Sequence, residues 1–76
     1  MNLSGCGLVD EDLAILRNAS ILVRLDVSDN PISDAGIDHL IEVVGLREVD
    51  LRGTKVTHTG AQLLEQALPN CVIIRD

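Results

Sequence analysis

A chain of 76 residues with no aromatic side chain and a formal charge of -6 can build one small domain at most, and must fill its core with Leu, Ile, Val and Ala alone. The acidic balance has no basic stripe to offset it, so nucleic acid and anionic lipid surfaces are excluded as expected partners. No apolar run approaches the ~18 residues of a membrane span, and the opening MNLSGCGLVDEDLAIL lacks the basic-then-apolar order of a secretion signal; a cytoplasmic protein is the default expectation.

In chain order, the first segment places Leu3 in a strand-like stretch, followed by the acidic trio Asp10, Glu11 and Asp12. Three acids in a row favour the positive end of a helix, here one carrying Leu13 and Leu16. In LVRLDVSDNPI the apolar residues Leu22, Leu25 and Val27 include a pair two apart, the period of a strand with one buried face. The spacing predicts a helix in SDAGIDHLIEVV, where Ile37, Leu40, Ile41 and Val44 fall three and four apart behind Ser33 as N-cap. The pattern then recurs. GLREVDLRGTKV repeats the strand with Leu46, Val49 and Leu51, and THTGAQLLEQAL repeats the helix with Ala61, Leu64 and Leu68 behind Thr57. ALPNCVIIRD begins another strand.

An offset of 24 residues superposes Leu3, Val27 and Leu51; Leu8, Ile32 and Val56; and Leu16, Leu40 and Leu64. It also aligns Cys6 with Asn30 and Thr54, at the point where the chain leaves each strand. Agreement of apolar and polar turn columns at one period marks an internal repeat. A strand and helix of this size cannot enclose their own apolar residues, so each unit has to stack on its neighbours. The expected architecture is an α/β solenoid with a short parallel sheet on its concave face and helices on its convex face. At the turn, Asn30 is expected to bond backbone groups left unpaired, better than Thr54 and much better than the Cys6 thiol.

The strings Leu22, Leu25, Val27, Asn30 and Leu46, Val49, Leu51, Thr54 resemble the LxxLxLxxN pattern of the leucine-rich repeat family. ISDAGI and VTHTGA resemble its short bacterial subclass, in which Asp-x-Gly opens the helix, although His58 stands where Asp34 does. The expected division is a partial unit over 1–21, complete units over 22–45 and 46–70, and a partial unit over 71–76, as in a fragment of a longer array. The resemblance implies a non-catalytic protein-interaction module that presents its concave sheet to a protein partner. The alternative is a structural stacking unit of a longer solenoid, or a fragment that associates with itself.

On this geometry the outward sheet positions, and so the expected partner-binding residues, are Arg24, Asp26, Ser28, Glu48, Asp50 and Arg52. Asp26 beside Asp50 forms a carboxylate pair that could hold a cation, but it gathers no further oxygen ligands, and no metal is expected. His39, His58, Cys6 and Cys71 are too far apart along the stack to converge on zinc, form a disulfide or act as a nucleophilic pair. No phosphate-cradling glycine string occurs. Neither an enzyme nor a cofactor is expected. With no polar cap before it, the first unit should expose Leu3, Leu8, Leu13 and Leu16 at an open end, where the chain could self-associate.

Overall fold

The structure, a computed structural model, describes residues 1–18 and 21–76. A 3-10 helix over Asp10–Asn18 comes first, followed by β1 (Arg24–Asp26), α1 (Asp34–Leu40), β2 (Glu48–Asp50), α2 (His58–Ala67) and β3 (Val72–Ile74). The strands form one parallel sheet in the order β1-β2-β3. Asn2 adds a parallel bridge to Asp26 on the outer side of β1. Every register pair is 24 residues apart: Leu25 lies beside Val49, and Val49 beside Ile73. This is an α/β repeat arrangement, with the sheet backed by helices.

The core lies between these two layers and is aliphatic. Leu25, Val27, Val49 and Leu51 face inward from the sheet segments, and Ile37, Leu40, Ala61 and Leu64 from the helices, all essentially inaccessible to solvent. In the 3-10 helix the inward residues, Leu13 and Leu16, are three apart, the spacing that a three-residue turn stacks on one side. The expected caps form. Ser33 Oγ accepts from the Ala35 amide and Thr57 Oγ1 from the Gly60 amide.

Two expectations are corrected. Leu13 and Leu16 are 1% and 8% exposed, and Leu3 and Leu8 are partly buried against the same core, so these four do not form a sticky open end. Each unit directs its consensus leucines into the space between its own strand and helix rather than along the stacking axis. The self-association expected through those residues loses its basis. Val44 is also on the wrong face, at 85% exposure, while Val43 beside it is at 3%. The α-helix ends at Leu40, and the Val43 amide donates to the Leu40 carbonyl, a three-residue turn that brings Val43 inward instead of Val44.

Two side-chain devices and one backbone turn bind one unit to the next. Asn30 is the first: its Oδ1 accepts from the Cys6 and Leu8 amides at 2.9 and 3.0 Å, and its Nδ2 donates to the carbonyls of Leu3, Val27 and Ser28. Thr54, in the same column, reaches only within its own unit, to the Leu51 carbonyl and the Val56 amide. The exposed Cys6 thiol donates weakly to the Ser4 carbonyl at 3.5 Å.

The second device is an acid at each helix start. Asp10 accepts from the Ser33 amide and hydroxyl at 2.7 and 2.5 Å, and Asp34 accepts from the Thr57 amide and hydroxyl at 2.8 and 2.6 Å. Each carboxylate thus clamps the N-cap residue of the following unit. A glycine makes room for it. A methyl group on Gly36 would lie 2.7 Å from Asp10 Oδ1, and one on Gly60 would lie 2.7 Å from Asp34 Cγ. This explains the Asp-x-Gly pattern physically, since the acid of one unit occupies the space over the glycine of the next.

Gly60→Ala therefore sets a clash, costing about 1 to 3 kcal/mol, against the roughly 1 kcal/mol by which alanine favours a helix over glycine. A lower melting temperature is expected in the native background. In an Asp34→Ala background the same change should instead be neutral or stabilising, and thermal melts of the four proteins check this reversal of sign.

The third device is the turn after each strand. Gly5, Asp29 and Gly53 are 24 residues apart and all have positive φ, at 63, 56 and 70°. Asp tolerates this left-handed conformation better than most side chains, which accounts for Asp29 between two glycines.

Candidate protein-binding face

The sheet face turned away from the helices carries three rows of side chains set by the 24-residue register. Arg24, Glu48 and Val72 form one row; Asn2, Asp26, Asp50 and Ile74 form a second. Ser4, Ser28 and Arg52 continue past the strand ends as the third, with the Ser4 and Ser28 hydroxyl oxygens 3.0 Å apart. All six residues expected from the sequence, Arg24, Asp26, Ser28, Glu48, Asp50 and Arg52, fall on this face.

Their roles differ. Ser28 and Asp50 are 8% and 7% exposed, so they support the face rather than offer contacts. Asp26 Oδ1 accepts from the Ser28 amide and hydroxyl, at 3.0 and 2.6 Å. Asp50 accepts from the Arg52 amide and, through both oxygens, from the Arg52 guanidinium, with the shortest contact at 2.7 Å. Asn2 Oδ1 accepts from the Ser4 amide in the same manner. An acid or amide between the two inward residues thus ties down the strand end two residues on, a local turn bond available to Asp and Asn. The carboxylates of Asp26 and Asp50 serve that purpose rather than facing one another across a cation. Among the described residues, no three His, Cys, Asp or Glu side chains gather around one point.

A shallow depression of about 220 Å³ opens on this face, lined by Met1, Asn2, Arg24, Leu25, Asp26, Glu48, Asp50 and Ile74. Arg24 is exposed and Glu48 half-buried, and neither makes a side-chain hydrogen bond or ion pair to a described residue. The aliphatic contribution of Met1 and Ile74 was not anticipated from the sequence. The register alone would have shown Ile74, since it is 24 residues beyond Asp50. A second depression of similar size, between the helix ends and the strand starts, is lined by Val44, Leu46, Arg47, Leu68, Pro69 and Cys71 among others.

Burial, and secondarily the nearby Glu48 charge, pushes the Cys71 thiol above its ordinary range, an environment that suppresses thiolate chemistry. Two carboxylates are held below theirs: Asp34 by the Thr57 hydroxyl and then the Thr57 amide, and Asp50 chiefly by the Arg52 side-chain bonds. A folded value below the unfolded one means a stabilising contribution that is complete above the unfolded value and lost as pH falls through the folded one. The contributions of Asp34 and Asp50 are therefore expected to be complete above about pH 4 and to be lost as pH falls below it. Urea unfolding of the native chain and of Asp34→Asn at successive pH values checks this. The variant should lose less stability below pH 4.

Parallel strands at 24-residue intervals, the first two leading through a polar turn into a helix, define an α/β repeat arrangement. The family model described as Leucine Rich repeat matches residues 19–40, so the chain carries a leucine-rich repeat. No curated protein and no solved structure matches the chain. Leucine-rich repeats usually mediate protein–protein interaction and are typically non-catalytic. Among the described residues, no helix is long and apolar enough to cross a membrane.

Proposed function

We propose that this chain is a protein–protein interaction module that presents its sheet as the concave face of a solenoid, with no catalysis. The observation that supports this reading most is the pair Arg24 and Glu48 over the depression, without a side-chain partner among the described residues and set on strands whose inward residues are locked in the core. Polar groups on rigid strands can bind a partner without ordering a loop first. Arg24 and Glu48, with Asp26 and Arg52 beside them, are the contact residues; Ser28 and Asp50 hold them in place. The partner is a protein rather than nucleic acid or a lipid surface, in keeping with the charge of -6. The units over 22–45 and 46–70 are read as two complete repeats of this array.

A photo-crosslinking side chain at Arg24 or Glu48, compared with one at Gln66 on the helical side, tests this. Adducts with another protein are expected from the first two positions and not from the third. Adducts from Gln66 alone would overturn the reading.

A second reading, a stacking unit, is favoured by the edge of β3, which among the described residues pairs only with β2. An unpaired strand edge is a template for association. Sedimentation across a concentration range distinguishes the two, since a stacking unit forms larger species without a partner.

A further inference from the structure

The acid column is interrupted in the unit over 46–70 and the inward leucine column in the unit that follows it, and the two interrupting residues touch. His58 follows Asp10 and Asp34 at 24-residue intervals, and Arg75 follows Leu3, Val27 and Leu51. Arg75 Nη2 lies 2.8 Å from His58 Nδ1. We propose that this pair is a pH-gated clasp: it holds β3 on the sheet while the imidazole is neutral and releases it on protonation.

A guanidinium can only donate, so Nδ1 has to be the unprotonated ring nitrogen when the contact is made. Adding a proton there removes the acceptor and sets two cations against each other. The positive end of α2, at which His58 is the first residue, opposes that cation as well. The charged groups on the turns and strand end beside His58 include Asp34, held by Thr57; Lys55, three residues earlier in the chain; and Asp76, whose Oδ2 accepts from the Gly53 amide at 2.9 Å. Asp34 is held below the ordinary carboxylate range and stays charged at pH 5. That clamp therefore keeps its charge across the pH range of the test.

The strand it holds is the least buried of the three. Val72 is exposed and Ile73 and Ile74 half-buried, whereas Leu25 and Val49 in the other strands are fully covered. Its backbone bonds include Leu51 N–H to the Ile74 carbonyl and Val72 N–H to the Arg47 carbonyl, both at 2.7 Å. Such a segment opens by local unfolding at low cost, so one side-chain contact has leverage over it. Its release would expose the edge of β2 and the buried Cys71, turning a covered sheet into one able to pair with an incoming strand.

The test is amide hydrogen exchange on the full chain at pH 8 and pH 5, expressed as protection factors corrected for intrinsic exchange. Protection at Leu51 and Val72 should fall about three- to tenfold at pH 5, the range for loss of one modest hydrogen bond. Protection at Val27, on the far side of the sheet, should hold. Arg75→Ala should show the reduced protection already at pH 8 and no further fall. His58→Asp, which restores the column residue and can accept from Arg75 at both pH values, should keep the protection at pH 5. Native protection in Arg75→Ala at pH 8 would overturn the clasp. So would an equal fall between pH 8 and pH 5 in native chain and Arg75→Ala.

Discussion

Leu40→Ala is expected to remove a large part of the stability of the chain. Leu40 is completely buried at the end of α1, in the same core as Leu13, Ile37 and Leu64. Truncating such a side chain costs about 2 to 5 kcal/mol, the lost transfer energy plus the cavity left behind. The whole chain, at a typical 0.05 to 0.15 kcal/mol per residue, has only about 4 to 11 kcal/mol to lose. No aromatic ring is present to swing into the space. The urea midpoint should fall sharply or the folded baseline vanish. Val44→Ala, four residues on and largely in solvent, should stay within about 0.5 kcal/mol of the native chain. Equal midpoints for the two variants would show that the helix phase is wrong.

Asn30→Ala is expected to cost about 1 to 3 kcal/mol, the usual penalty for leaving buried polar groups without partners. Its amide touches five backbone groups, and three of these, on Leu3, Cys6 and Leu8, belong to the preceding unit. Loss of the side chain should therefore loosen the first unit before the rest. Hydrogen exchange at the Cys6 and Leu8 amides should accelerate more than at Leu51, which sits one seam away. Thr54→Ala should cost less, because Thr54 joins only groups within its own unit. If Asn30→Ala leaves the denaturant midpoint and the Cys6 amide unchanged, the turn column does not bind adjacent units.

The strands, the caps and the Asn30 turn were legible in the sequence because each depends on a column repeated at one interval. Leu25 and Val49 announce a buried strand face by alternation, and Ser33 and Thr57 precede helical spacing as caps do. What was not legible depended on three-dimensional direction. Leu3, Leu8, Leu13 and Leu16 read equally well as an exposed end or as an enclosed layer, and only the fold of the first unit decides between them. The choice of Val43 over Val44 depends on a three-residue turn after Leu40, which apolar spacing leaves open.

On the sheet face, the positions followed from the register, but their exposure did not. Arg52 folds back on Asp50 and covers it, and that requires a rotamer no sequence pattern specifies. The acid clamps were missed for a different reason. Asp10 and Asp34, with Ser33 and Thr57 23 residues beyond them and Gly36 and Gly60 26 beyond, formed a signal in plain view. In sequence Asp10 reads as a helix-dipole residue and Asp34 as part of a family pattern, and neither reading pairs the acid with the cap it holds.

The proposed binding face, the Asn30 seam and the His58 clasp all rest on the 24-residue parallel register. It can be measured by NMR as amide-to-α-proton contacts across the sheet of the 76-residue chain. The predicted contacts join β1 to β2 around Leu25 and Val49 and β2 to β3 around Val49 and Ile73, all in the parallel pattern. A slip of one residue would send the inward side chains to the opposite face. Antiparallel contacts, or a register displaced by one residue, would contradict the account.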